Sequence, residues 1–125
     1  MNKDQKKRNL ILGFDSPDYP GGIEPFRHIS LDTLEELVKE NFINLEDRFN
    51  DSPSAEEFLE FMRKYPHVTA HGYAIDISRP DYGISIEGLE SRGSTSEKFK
   101  RDWVCEFRLA DEFVYEEEYL YCWWD

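Results

Sequence analysis

Residues 98–110 read "KFKRDWVCEFRLA" and residues 113–124 read "FVYEEEYLYCWW"; the reading of these two stretches decides the fold. Successive side chains on a strand point to opposite faces, so a two-residue period sorts each stretch into two sets. In the first, Phe99, Trp103, Cys105, Phe107 and Leu109 share a face, with Arg101 as the misfit. Lys100, Asp102, Val104, Glu106 and Arg108 share the other. That pattern predicts a third strand, and Asp111–Glu112 a turn into a fourth. On the fourth, Phe113, Tyr115, Tyr119, Tyr121 and Trp123 fall with Glu117, while Val114, Leu120, Cys122 and Trp124 fall with Glu116 and Glu118. Rings occupy both faces, and a two-layer fold cannot bury both sets. The expectation is that Tyr115, Tyr119, Tyr121 and Trp123 meet the helices, leaving Leu120 and Trp124 partly exposed unless residues 9–14, "NLILGF", fold over them.

Upstream, "HVTAHGYAIDI" (67–77) and "YGISIEGL" (82–89) alternate around the turn "SRPD" and predict a hairpin, with Ile75 opposite Ile84. Two helices precede it. Ser30 is a cap for one that buries Leu31, Leu34, Leu37, Val38 and Phe42 at helical spacing. In "SPSAEEFLEFMRKYP" (52–66), Ser52–Pro53 and the capping box Ser54/Glu57 are alternative starts, and Pro66 ends the helix. "SPDYPGGIEP" (16–25) reads as loop. The order predicts an α+β domain over 9–125: two helices on one face of a four-stranded antiparallel meander. Residues 1–8 form a flexible basic end, and the 9–14 arm is a candidate extra edge segment.

The chain has 125 residues and a net charge of -12, although Lys3, Lys6, Lys7 and Arg8 crowd its start. Nucleic acid and anionic membrane need a basic footprint that the rest of the chain lacks. No apolar run approaches the roughly 20 residues of a membrane span, and a cytoplasmic location is expected. Glycine-rich phosphate loops, HExxH, paired CxxC and Gly-x-Ser-x-Gly elbows are missing from the sequence, so neither a cofactor nor a catalytic motif is predicted. His67 and His71 would lie about 13 Å apart along a strand, too far to share a metal. Cys105 and Cys122 are expected to remain free thiols, the first on the core face.

The carboxylates carry the functional reading. Asp76, Glu87, Glu106, Glu116 and Glu118 are expected on the outer sheet face, with Leu120 and Trp124 as apolar anchors among them. Such a platform suits a basic partner protein. In size, charge and layout, though in no motif, the chain resembles small inhibitor- or immunity-type proteins that mask a basic partner. Two alternatives stand beside this interaction module. One is a small-ligand or enzyme site between the 15–25 loop and the sheet; the other is a homodimer through the outer sheet face, monomer or weak dimer being the expected state.

Overall fold

The computed structural model describes residues 1–125. Helices α1 (Gln5–Leu12), α2 (Leu31–Lys39), α3 (Ala55–Lys64) and α4 (Glu97–Phe107) join strands β1 (Ile23–Ile29), β2 (Thr69–Ile75), β3 (Gly83–Arg92), β4 (Glu112–Tyr115) and β5 (Tyr119–Trp123). The sheet runs β1-β2-β3-β5-β4, and every neighbouring pair is antiparallel. The α+β class and the antiparallel sheet agree with the sequence reading, but there are four helices instead of two and five strands instead of four. Nor is the sheet a meander. From β3 the chain crosses through α4 to the far edge, and β5 returns to fill the gap between β3 and β4.

The expected third strand is helix α4. Ser96 caps it by accepting the Phe99 N–H. Phe99, Trp103 and Phe107 are four residues apart, a spacing that keeps one face on a strand and also on a helix. Cys105 and Leu109 break the tie: a strand would bury them, yet Cys105 is exposed and Leu109, just past the helix, is 82% exposed. Arg101, the misfit of the strand reading, sits unremarkably on the helix surface. Phe99, Trp103 and Phe107 pack fully buried against α3, with Phe61 and Phe107 in edge contact at 4.7 Å and Trp103 and Phe107 at 4.9 Å. From the sheet, Trp124 meets Phe58 at 5.9 Å and Phe107 at 6.0 Å.

Helices α2 and α3 form where their caps predict. Ser30 accepts the Thr33 N–H, and Ser54 with Glu57 makes the reciprocal capping box that starts α3. Strand β1 emerges from the stretch read as loop. Pro25 lacks an N–H, and β1 can hold it because an edge strand leaves half its donors unpaired. The hairpin register is one residue from expectation: Ala74 faces Ile84, Gly72 faces Ile86 and Ile75 faces Gly83. A bulge between His71 and Gly72 then sets Ala70 opposite Leu89. Ala70 and Ala74 therefore point to the helices with Ile84, Ile86 and Leu89, and Tyr73 and Ile75 point away. Small residues, Ala70, Gly72 and Ala74, line the inner face of β2, opposite Leu89, Ile86 and Ile84 of β3.

The basic start is also built into the fold. Residues 5–8, expected in a loose end, are the first turn of α1, and the helix runs on to Leu12, where Gly13 ends it in a left-handed cap, so residues 9–14 add no edge strand. Arg8 is fully buried, donating to the carbonyls of Ile75 at 2.9 Å and Gly83 at 3.1 Å and to the Tyr19 hydroxyl at 3.1 Å. Its guanidinium lies 4.4 Å from the centre of the Tyr82 ring. Ile75 and Gly83 are paired at the mouth of the β2–β3 hairpin, so Arg8 staples α1 across it. Gln5 adds a bond to Asp76 at 2.9 Å and accepts the Ile77 N–H at 2.7 Å. Arg8→Ala removes the bonds to the Ile75 and Gly83 carbonyls and leaves a cavity. The expected cost is about 2–4 kcal/mol, read as a lower urea midpoint at unchanged m-value.

Candidate functional site

The pleat of β5 divides its aromatic end. Leu120, Cys122 and Trp124 are 2%, 0% and 3% exposed and join the core under the helices. Tyr119, Tyr121 and Trp123 point to the opposite side, half-buried, and their aromatic partners are strand residues on that same side. Helices thus cover one face only, and the other carries a row of rings. This reverses the expected sorting: Leu120 and Trp124 are core residues, and Tyr119, Tyr121 and Trp123 form the open face. Trp124 is the ring that fits between Phe58 and Phe107, and two-residue alternation then fixes the rest of the strand.

A histidine organises the row. His71 reaches from β2 across β3, and its Nε2 lies 2.8 Å from the Cys122 carbonyl on β5. Gly88 lets it pass. A Cβ there would stand 1.9 Å from the Cys122 carbonyl oxygen and 2.4 Å from His71 Nε2. The imidazole is near-parallel to Tyr121 at 4.7 Å and to Trp123 at 5.1 Å, and Tyr73 meets Trp123 edge-on at 5.6 Å. His71 is 1% exposed, and burial pushes its pKa down to about 4 despite the Cys122 hydrogen bond. It is therefore neutral near pH 7. A carbonyl only accepts, so Nε2 carries the proton.

Beside this stack, Glu90 is a buried hub. Its carboxylate takes Arg92 Nε at 3.1 Å, Arg27 Nη2 at 3.2 Å and the Tyr119 hydroxyl at 2.8 Å, with His28 Nδ1 at 3.0 Å. Burial alone would raise its pKa; the hydrogen bonds from Arg92 and Tyr119 and the Arg92 charge outweigh it and hold the carboxyl below its ordinary value. The hub ties β1, β3 and β5 together and fixes the Tyr119 ring.

The acidic residues predicted as one platform are dispersed. Asp76 lies beyond β2, where the Ser78 hydroxyl and Gln5 bind its carboxylate and hold its pKa down to about 2. Glu87 is in the β3 bulge, 9% exposed, its pKa raised by burial. Glu106 is on α4 instead of a strand, in a cleft of about 300 Å³ with Glu57, Glu60, Lys64, Asp102 and Cys105. Glu116 and Glu118 are exposed in the β4–β5 turn. A second cleft, about 190 Å³, involves Asp47, Asp81 and Tyr82, so neither cleft is formed by the 15–25 loop. Both thiols are free, with Cys122, not Cys105, in the core. The residues that do converge, His71, Tyr73, Gly88, Glu90, Tyr121 and Trp123, were not read as a site. The signal available was the odd-numbered ring series on β5.

The buried imidazole makes stability depend on pH. Between the ordinary histidine value of 6.5 and the folded value of about 4, the unfolded chain binds the extra proton. The contribution is complete above pH ~6.5 and is lost as pH falls toward 4, by at most about 3 kcal/mol. Urea titrations across that window should show the loss in the native chain. His71→Gln, which keeps an N–H for the Cys122 carbonyl, should flatten it.

No protein-family model matches the chain, and neither a curated protein nor a solved structure matches it.

Proposed function

We propose that this protein is a small interaction module that docks a basic partner protein on the open face of its sheet, in the manner of a masking inhibitor. The observation that carries the reading is the row Tyr73, Trp123, Tyr121 and Tyr119, half-buried, braced by His71 and uncovered by any helix. The outer face of a two-layer α+β sheet is ordinarily polar, since water is its neighbour. Aromatic side chains supply most of the binding energy at interface centres. Rings already locked by stacking lose little entropy on binding.

Charge supports a basic partner. The net charge of -12 attracts cations over long range. Locally, Glu112 stands opposite Trp123 in the β4–β5 register, and Glu87 and Asp125 are close enough for their charges to interact. Acids thus flank the Trp123 end of the row. Two free thiols fit a reducing compartment such as the cytoplasm.

The test is comparative capture. Immobilised protein should retain a protein of high isoelectric point from a native lysate at low salt and release it as salt rises. Trp123→Ala should weaken retention by ~30-fold, equivalent to about 2 kcal/mol for a central anchor, and Glu112→Lys should reduce the salt dependence. Retention unchanged by Trp123→Ala, or of acidic proteins only, would contradict the proposal.

A further inference from the structure

The two edges of the sheet are built differently. On β1, Pro25 removes a donor, the register breaks between Phe26 and Ile29, and His28 within the break has φ 60°. Proline and a bulge are the devices by which an edge strand refuses a neighbour. The opposite edge, β4, has neither. Its register is continuous from Glu112–Trp123 to Tyr115–Leu120. The Glu116 N–H donates to the Tyr119 carbonyl at 3.0 Å. In an antiparallel ladder the main-chain groups of alternate residues turn to the partner. Glu112, Val114 and Glu116 therefore bond to β5, and the N–H and C=O groups of Phe113 and Tyr115 point away from the sheet.

The chemistry around that edge is one-sided. Residues 111–118 read "DEFVYEEE", and Asp111, Glu112, Glu116, Glu117 and Glu118 meet no cation in this stretch. None of the five takes part in an ion pair elsewhere in the chain. Between them the Phe113 and Tyr115 rings lie parallel at 6.4 Å, with Tyr115 49% exposed. An apolar step with open main-chain donors and acceptors, bracketed by unpaired carboxylates, matches an extended segment that alternates Lys or Arg with small or apolar residues.

We infer that β4 is a receiving edge: an extended, cation-bearing segment of the partner pairs with it and adds a sixth strand to the sheet. This rests on the reading of the chain as a partner-binding module and names how the partner is held. Main-chain bonds to Phe113 and Tyr115 supply the pairing, and the flanking carboxylates select positive charge. A second copy of this chain is disfavoured as the occupant, because β4–β4 pairing would bring two sets of five carboxylates together.

The probe is a blocked decapeptide alternating Lys with Thr, with a Glu–Thr decapeptide as its control. Amide hydrogen exchange should show protection of Phe113 and Tyr115 gained with the Lys peptide, no change at the already bonded Val114, and none at any site with the Glu peptide. Tyr115→Pro removes one outward N–H without touching the β4–β5 bonds and should weaken the Lys peptide at least tenfold. Should that variant misfold, Glu116→Lys with Glu117→Lys, both in an exposed turn, should weaken it similarly. No protection at millimolar Lys peptide would overturn the inference; the acids would then only keep the edge from self-pairing. Protection that grows with protein concentration and without peptide would overturn it in favour of a second copy. Trp123→Ala should leave peptide protection intact, so protein capture unchanged by Trp123→Ala, with edge protection retained, would count against the sheet-face reading alone.

Discussion

Trp123 closes β5 and Trp124 follows it directly, and the alternation of the chain forbids both from facing the core. The contest is settled by fit: Trp124 enters the space between Phe58 of α3 and Phe107 of α4, in edge contact with both rings. Everything else on β5 follows by alternation. Leu120 and Cys122 go inward with Trp124, and Tyr119 and Tyr121 go outward with Trp123. The same packing demands α4 as a helix, because only a helix can present Phe99, Trp103 and Phe107 together over the sheet while turning Cys105 to water.

The open face is mechanically linked to this core. His71 projects outward but ends on the carbonyl of Cys122, whose thiol is buried beneath the helices. The crossing is available only because Gly88 has no side chain. A row of rings that would otherwise sample several rotamers is thus tied to the rigid side of the sheet. Glu90 fastens the far end of the row through Arg27, Arg92 and Tyr119, and Arg8 closes the hairpin mouth from α1. Each of these three polar groups is buried, and each binds across separate strands or elements, so they specify register as well as add stability.

Local chemistry made part of this fold legible in advance. Ser30 and the Ser54/Glu57 box announced α2 and α3, since capping depends on neighbours in sequence. The β2–β3 hairpin was visible in its alternation, but its register was not: Tyr73/Ile75 and Ala70/Ala74 are both self-consistent faces, and only burial in the assembled core, which takes Ala70 and Ala74, chooses between them. Helix α4 was hidden by arithmetic, because positions 99, 103 and 107 satisfy period 2 and period 3.6 alike. Arg8 looked like part of a frayed basic end because nothing local reveals that Ile75 and Gly83 will offer their carbonyls 67 and 75 residues later. The candidate site depended on the same missing choice. With Trp124 outward, alternation turns Trp123, Tyr121 and Tyr119 inward and leaves the acids as the apparent outer surface.

The sorting of Trp123 from Trp124 is therefore the point at which the account is most exposed. Hydroxyl-radical footprinting of the folded protein, read by mass spectrometry, reports both indoles in one peptide. The account predicts rapid oxidation of Trp123 and strong protection of Trp124, with protection of Trp103 as an internal standard. Equal oxidation of the adjacent pair, or a protected Trp123 beside a reactive Trp124, would contradict it.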